Sequence, residues 1–194
     1  MWAPQQALSS YGAAAGTTYA TRNPSDKNAN ISLSWGDLIA TATGVDAWES
    51  LRGTIGKSSW KWYREITVWA TGTDFMIWIG NSSATLANHV WFDADWWCYY
   101  SNAGVSAKYT NNVSSWYGSQ YWAWVIISVY LDMDAGTIWF YRNWVDKWTA
   151  YTWLSGTIYP MVSPYATGAS YTANFGATAF TYSPPVWFNS WLYT

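Results

Sequence analysis

The stretch VYLDMDAGTIWFYRN, residues 129–143, carries the local pattern that decides the fold. Leu131 and Met133 alternate with two aspartates, which is the two-residue period of a strand with one buried face. The turn residues Asp-Ala-Gly then lead into a second apolar run, Thr137–Tyr141, and Asn143 begins the next turn. This order predicts a three-stranded antiparallel meander.

The same period of two, broken by turn residues, continues from about residue 28, and no long stretch has the spacing of a capped helix. About ten short strands at regular intervals predict an all-β fold, a single antiparallel β-sandwich spanning residues 21–194. Residues 1–20 are small and uncharged and are expected to form an N-terminal arm or linker. The predicted strands include Ile31–Leu33, Leu38–Thr43, Trp60–Val68, Phe75–Ile79, Trp97–Tyr100, Tyr121–Leu131, Thr137–Tyr141, Thr157–Ser163 and Ser170–Phe175.

Composition excludes several function classes. Charged residues make up only 10% of the chain, the net charge is −2, and no basic cluster exists, so nucleic-acid binding through phosphate neutralisation is not expected. One cysteine and one histidine leave no intramolecular disulfide and no multi-His or thiolate metal site. No apolar run of 18 residues predicts a membrane span, and no signal peptide is visible.

Candidate catalytic groups are few. Two Asp-x-Asp pairs, at 93–95 and 132–134, lack the other ligands of a calcium loop. Glu49 and Glu65 are the only glutamates, and Glu65 is expected to form an ion pair with Lys61 or Arg64. We therefore predict no catalytic residue, no metal site and no cofactor.

The two remaining reactive groups are isolated in the sequence. His89 is expected to be an ordinary loop residue, because no second conspicuous group accompanies it. Cys98 is expected to be a packed small hydrophobe inside a strand. Neither residue therefore changes the prediction that the chain is not an enzyme.

Five segments give the chain a close resemblance to the SPRY domain over roughly residues 20–190. The resemblance implies a bent sandwich of two antiparallel sheets, the concanavalin-like SPRY type. It also implies a non-catalytic recognition module whose loops at one end bind protein or peptide. The segments are TIGKSSWKWYREITV (54–68), FMIWIGNSS (75–83), DADWWCYYSNAG (93–104), the long stretch 121–165 and YTANFGATAF (171–180).

The chain departs from the family pattern mainly through tryptophan at glycine positions. Trp191 is a further candidate, whereas Trp62, Trp97 and Trp139 stand where the family itself has tryptophan. Asn143-Trp144 is the most diagnostic case, because a two-residue hairpin turn favours Asn-Gly. The ten departures are Trp60, Trp78, Trp91, Trp96, Trp122, Trp124, Trp144, Trp148, Trp153 and Trp187.

Three interpretations of these tryptophans stay open. They could form an aromatic binding platform, since tryptophan dominates interface hot spots. They could instead form extra core after repacking, with Arg64, Val125 and Tyr130 as partners. The third interpretation is a translation convention, in which UGA codons read as glycine are written as tryptophan.

The sequence predicts a non-catalytic recognition or assembly module that binds a protein partner, or a second copy of itself, through loops at one end. A subunit of a virion or surface appendage is the expected setting, and a virion or cell surface is favoured over the cytoplasm. A carbohydrate-binding module with Trp or Tyr platforms is the alternative. The candidate binding residues are Trp35, Trp48, Trp69, Trp91, Trp96 and Trp116, and of these Trp35, Trp48, Trp69 and Trp116 show no obvious glycine requirement.

Overall fold

The computed structural model describes residues 18–44, 47–69, 74–86 and 94–193. Within these ranges the chain forms strands and no helix, as the sequence predicts. The strands are β1 (Thr18–Tyr19), β2 (Arg22–Lys27), β3 (Ile31–Ser34), β4 (Ile39–Ala42), β5 (Leu51–Gly53), β6 (Lys61–Val68), β7 (Asp74–Gly80), β8 (Trp96–Asn102), β9 (Ser106–Thr110), β10 (Val113–Trp116), β11 (Ile126–Asp132), β12 (Thr137–Arg142), β13 (Val145–Tyr151), β14 (Tyr159–Pro164), β15 (Ser170–Asn174), β16 (Asn189–Ser190) and β17 (Leu192–Tyr193).

Two antiparallel sheets form the sandwich, which confirms the predicted fold class. One sheet has the strand order β10-β9-β8-β7-β14-β5-β2, and the other has the order β13-β12-β11-β6-β15-β4-β3. The short strand β16 adds to β6 in parallel. β1 pairs with β17, so Thr18 and Tyr19, within the range expected to be an arm, form a strand.

Alternating side chains build two apolar clusters. Ile77 and Ile79 of β7 point between the sheets and pack into the main core with residues such as Ile66 and Val129. Met76 and Trp78, the alternate residues of the same strand, point to the opposite face and join a second cluster. The seven-stranded sheet is therefore buried on both faces along β7.

The predicted meander is formed by β11, β12 and β13. Asp132 pairs with Thr137 across the first turn, and Asp132 Oδ1 accepts the N–H groups of Asp134 (3.1 Å) and Ala135 (3.0 Å). The Asp132 carboxylate also forms an ion pair with Lys61. Both features stabilise this corner as a tight turn.

The second turn of the meander has the two-residue geometry that the sequence predicts for Asn-Gly. Arg142 pairs with Val145, and Asn143 and Trp144 between them have φ values of 45° and 68°. Asn143 also bonds Ile126 twice, through its N–H and its side-chain oxygen, both at 2.9 Å. Tryptophan therefore occupies a left-handed position.

The strands define two ends of the sandwich. At one end β6 finishes at Val68, Trp69 follows, and the Trp124 N–H donates to Val68 O at 2.7 Å. The β8–β9 turn lies at this end too, because Asn102 at the end of β8 pairs with Asp74 at the start of β7. We call this the Trp69 end; the opposite end, where β6 begins, is the Trp60 end.

Candidate functional site

An open groove of about 540 Å³ lies at the Trp69 end, along the edge of the seven-stranded sheet. The β8–β9 turn, strands β9 and β10, and the loop 118–120 line it. Its lining contains no carboxylate, imidazole, guanidinium or ammonium group; it offers serine hydroxyls, the Gln120 amide, the Tyr109 ring and the Trp116 indole. We call it the β10 groove.

Buried tyrosines hold the loop of the β10 groove in place. Tyr117 and Tyr121 flank the loop and are almost completely buried. The Tyr117 hydroxyl donates to Trp148 O (2.8 Å), and the Tyr121 hydroxyl donates to Tyr99 O (2.7 Å). Gln120 Nε2 donates to Asn102 O at 2.5 Å. The groove is therefore preformed, which lowers the entropic cost of binding.

Strand β10 presents its whole length to solvent. All four of its residues are exposed, and Trp116 is 70% exposed. Among the described strands, only β9 pairs with β10, so β10 is an edge strand. It carries no charge and no proline, the usual devices that block pairing at an edge. The Trp116 indole leans against Trp148, with ring centroids 5.2 Å apart.

A second cleft, of about 270 Å³, lies on the outer face of the other sheet. Tyr130, Trp139 and Tyr141 form its aromatic side, and the Lys61–Asp132 ion pair lies beside them. The segment 185–188 closes one flank. We call it the Trp139 cleft.

The structure does not bring the predicted binding tryptophans together. Trp35 lies in the β3–β4 turn at the Trp60 end, while Trp69 lies at the other end. Trp48 and Trp96 belong to the second apolar cluster and are buried, so neither presents a ring to a partner. Trp116 lies at the β10 groove, and Trp91 lies outside the described residues.

The backbone at Trp35 differs from the expectation that this position has no glycine requirement. The sequence shows no glycine requirement there, yet Trp35 has a φ of 54°, between Ser34 and the left-handed Gly36 and Asp37. Its side chain is exposed. The same left-handed conformation occurs at five of the suspected glycine positions, namely Trp60, Trp124, Trp144, Trp148 and Trp153.

The β10 groove lies on a hairpin that the sequence-based prediction missed. Strand β10 is exposed on both faces and so lacks an alternating pattern. The available signal was the pair Asn111–Asn112, whose φ values of 47° and 57° make the same type of two-residue turn as Asn143–Trp144. Asparagine tolerates this conformation better than most residues.

Glu65 does not form the ion pair expected for it. Its carboxylate is buried and accepts hydrogen bonds from the Tyr63 hydroxyl (2.8 Å), Thr181 N (2.8 Å) and Tyr182 N (2.7 Å). Glu65 therefore ties the C-terminal segment to β6. It has no free oxygen directed into a cleft that would suggest catalysis.

The other candidate reactive groups give no site either. Burial raises the pKa of the Cys98 thiol, which lowers its reactivity. His89 lies outside the described residues. Across the described ranges, no three His, Cys, Asp or Glu side chains are grouped to hold a metal ion. A helix suited to crossing a membrane is likewise absent from these ranges.

Solved structures with the same fold are SPRY domains or contain a similar region. The SPRY domain of human HERC1 superposes with a TM-score of 0.67 at 18% identity, covering 78% of this chain and 96% of that one. The TRIM65 PSpry domain gives 0.65 at 12% identity, covering 80% and 89%. Stonustoxin gives 0.65 at 16% identity, covering 80% of this chain and 27% of that chain.

Sequence comparison agrees with the structural one. Curated proteins give no match. The SPRY-domain profile matches residues 60–178, which is more than half of the chain and includes both the meander and the β10 groove. On this match and the shared sandwich, the chain belongs to the SPRY-domain family.

Proposed function

We propose that this chain is a non-catalytic recognition module that binds a protein partner through the β10 groove at the Trp69 end. SPRY domains are typically protein-interaction modules and are generally non-catalytic. The observation that carries the choice of surface is Trp116, an exposed indole on an unpaired, uncharged edge strand beside a preformed groove.

The partner segment fits as an extended strand. The outer N–H and C=O groups of β10 are available to pair with an added strand, a common way in which sheets bind peptides. Alternate side chains of the partner segment enter the groove beside the strand, where Trp116 provides apolar contact next to the serine hydroxyls. Tryptophan at such a position is a typical hot spot of binding energy.

Peptide selection tests the proposal directly. A random peptide library displayed on phage is selected against the purified chain, and the affinity of the recovered peptides is measured by calorimetry. Trp116→Ala should weaken binding by at least about 2 kcal/mol, roughly 30-fold in Kd. Ser114→Pro should also abolish binding, because the Ser114 N–H points away from β9 and proline removes this donor from the free edge.

Trp139→Ala is the matched control, because Trp139 is a tryptophan of the other cleft. It should leave peptide affinity within about twofold, since it lies outside the groove. Recovered peptides that bind the Trp116→Ala variant normally would contradict the proposal. Failure to enrich any peptide would contradict it as well.

Carbohydrate binding at the Trp139 cleft is the second candidate. Tyr130, Trp139 and Tyr141 provide an aromatic platform, and Lys61 and Asp132 provide polar groups at its edge. Sugars bind such combinations through stacking and hydrogen bonds. A glycan array should then show binding that Trp139→Ala removes and Trp116→Ala retains; an empty array excludes this candidate.

We also propose that the protein partner can be a neighbouring subunit in a virion or surface assembly, including a second copy of this chain. The exposed indoles of Trp69 and Trp116 leave apolar surface at the Trp69 end that a neighbouring subunit would cover. Light scattering after size-exclusion chromatography tests self-association. Concentration-dependent oligomers that Trp116→Ala dissociates would support it, and a monomer at all concentrations would contradict self-assembly.

A further inference from the structure

Left-handed backbone in this chain is concentrated at tryptophan. Ten described residues other than glycine have a positive φ; three are asparagine, one is aspartate and the other six are tryptophan. Asparagine and aspartate are the residues that tolerate this region, whereas a bulky side chain there is an outlier. The six tryptophans are Trp35 (54°), Trp60 (69°), Trp124 (70°), Trp144 (68°), Trp148 (52°) and Trp153 (66°).

The other aromatic residues provide an internal comparison. Tyrosine and phenylalanine are bulky aromatic residues like tryptophan, and the chain has 16 Tyr and 6 Phe. None of the described Tyr or Phe residues has a positive φ. Bulk and aromatic character therefore do not explain why tryptophan occupies these positions.

The local geometry at these sites is the geometry that requires glycine. Trp144 is the second residue of a two-residue hairpin turn, the position that Asn-Gly turns give to glycine. Trp148 lies where the register between β12 and β13 shifts, at a bulge of the kind that places a left-handed glycine in the strand. Several left-handed positions elsewhere, such as Gly136 (63°) and Gly156 (74°), carry glycine itself.

None of the six side chains belongs to either buried apolar cluster. All six are exposed, from 47% for Trp144 to 92% for Trp153. By contrast, the indole N–H groups of Trp62, Trp69 and Trp191 donate to Ser59 O, Thr172 Oγ1 and Ile55 O at 2.5, 2.8 and 2.9 Å. Those three tryptophans have defined hydrogen-bond partners, and they do not have a positive φ.

We infer that glycine occupies positions 35, 60, 124, 144, 148 and 153 in the protein made by its natural host, each encoded by a UGA codon that is written as tryptophan. The inference adds Trp35 to the positions that sequence alone marks. It leaves out Trp191, which is buried and hydrogen-bonded, and it does not extend to Trp78 and Trp96, which pack against each other in the second cluster.

The binding surface changes accordingly. Six of the ten exposed indoles disappear, and the indoles retained at the Trp69 end include Trp69 and Trp116. Trp116 also loses its neighbour Trp148, so its ring stands free beside the β10 groove. Trp116 therefore remains the exposed indole that lines the β10 groove, and the inference does not depend on the proposed binding function.

Mass spectrometry of tryptic peptides from the natural protein decides the question. Cleavage after Lys57 and Lys61 releases Ser58–Lys61, and cleavage after Arg142 and Lys147 releases Asn143–Lys147. The first should read Ser-Ser-Gly-Lys and the second Asn-Gly-Val-Asp-Lys. The neighbouring peptide Trp62–Arg64 is the control and should keep its tryptophan.

Intact mass and codons give independent readouts. The whole chain should weigh less than the 22.0 kDa of the printed sequence, by one indolylmethyl group for each recoded position. The gene should have UGA at all six positions and UGG at Trp62, Trp69 and Trp116. Peptides that contain tryptophan at 60 and 144, or UGG codons at the six positions, would overturn the inference.

Discussion

A left-handed tryptophan is strained because its Cβ approaches the following carbonyl oxygen. The cost is about 1–2 kcal/mol for each residue, so six such residues store roughly 6–12 kcal/mol. A whole domain of this kind is stable by only about 5–15 kcal/mol. In a chain with tryptophan at all six positions, backbone strain would therefore offset most of the free energy of unfolding, although the six side chains are exposed.

Trp153 gives the cleanest measurement of this strain, because its side chain is 92% exposed and has little packing to lose. In protein made with the printed sequence, Trp153→Gly relieves about 1–2 kcal/mol of strain, offset by ~0.5–1 kcal/mol from the greater entropy of unfolded glycine. We expect a net gain of up to about 1.5 kcal/mol in the free energy of unfolding, measured by urea denaturation. Trp116→Gly, at an exposed position with no positive φ, should destabilise; a loss of stability for Trp153→Gly would contradict the account.

Glu65 holds residues 181 and 182 of the C-terminal segment against β6. Glu65→Gln replaces one carboxylate oxygen by an amide NH₂, which cannot accept from Thr181 N or Tyr182 N. Leaving a buried donor unsatisfied costs about 1–3 kcal/mol. Hydrogen exchange should accelerate at residues 181 and 182 and stay unchanged at the centre of β11, such as Val129. Unchanged exchange at 181 and 182 would show that other contacts hold the segment.

At the scale of elements, the meander turn is locked against the segment that follows β13. Gly136 has a φ of 63°, and a Cβ there would lie 2.7 Å from Leu154 O. The Leu154 N–H also donates to Gly136 O at 2.9 Å. The turn and the segment therefore cannot separate without losing a hydrogen bond, and they leave no space for a side chain.

Two glycine substitutions separate strain from steric contact. Gly156 has a φ of 74° with open space around its Cβ position, so Gly156→Ala should cost only the left-handed penalty of about 1–2 kcal/mol, offset by ~0.5–1 kcal/mol from the lower entropy of the unfolded chain. Gly136→Ala should cost a further ~1–3 kcal/mol, because the Leu154 backbone must move. Chemical denaturation of both variants measures the difference. Equal costs would mean that the turn is not locked.

The elements that sequence predicts well are those with their own alternating pattern. The turn between β11 and β12 and the strand Thr137–Arg142 follow the expected bounds, as do β3, β4 and β15 within one or two residues. Tyr121–Leu131 was predicted as one strand, but strand β11 begins at Ile126, because Tyr121 is instead bonded to Tyr99 and Ser101 below the groove. That contact joins distant parts of the chain and leaves no local signal.

The candidate site could not be predicted from the sequence for the same reason: it depends on contacts between distant parts of the chain. Strands β2 and β10 are polar or fully exposed, and each is a strand only because a neighbour pairs with it. Trp48 and Trp96 were predicted to be binding residues in loops, yet both are buried in the second apolar cluster, and Trp96 lies in strand β8. The single turn of Asn111–Asn112 was the remaining clue to the hairpin that carries Trp116.

For the molecule as a whole, buried phenols dominate the response to alkaline pH. Burial raises the pKa of six tyrosines: Tyr63, Tyr99, Tyr100, Tyr121, Tyr151 and Tyr171. In the unfolded chain these phenols ionise near pH 10. The folded state keeps their protons above that pH, so the stability they contribute is present below about pH 10 and is lost as pH rises further.

Three buried or half-buried cations act in the opposite direction. Burial lowers the pKa of Arg22 to about 9 and that of Lys57 to about 8, and it lowers the pKa of Arg64 as well. Each of these groups loses its proton more easily in the folded state, so each adds stability as pH rises through the interval between its folded and unfolded values. The phenols outnumber the cations, and the net effect above pH 10 is therefore destabilising.

We accordingly expect stability to hold up to about pH 10 and to fall steeply above it, with cooperative unfolding. Absorbance of ionised tyrosine near 295 nm should rise in two stages, first from exposed phenols and then, together with the loss of circular dichroism, from the buried six.

The variant Tyr171→Phe should shift the second stage to higher pH, because one of the buried phenols that release a proton on unfolding is then absent. The Tyr171 hydroxyl accepts the Met76 N–H at 3.1 Å, so the variant loses this hydrogen bond, and the cost can be measured separately at neutral pH. A single smooth titration of all tyrosines near pH 10, with the fold intact, would show that the phenols are accessible and that the packing between the sheets is looser than described.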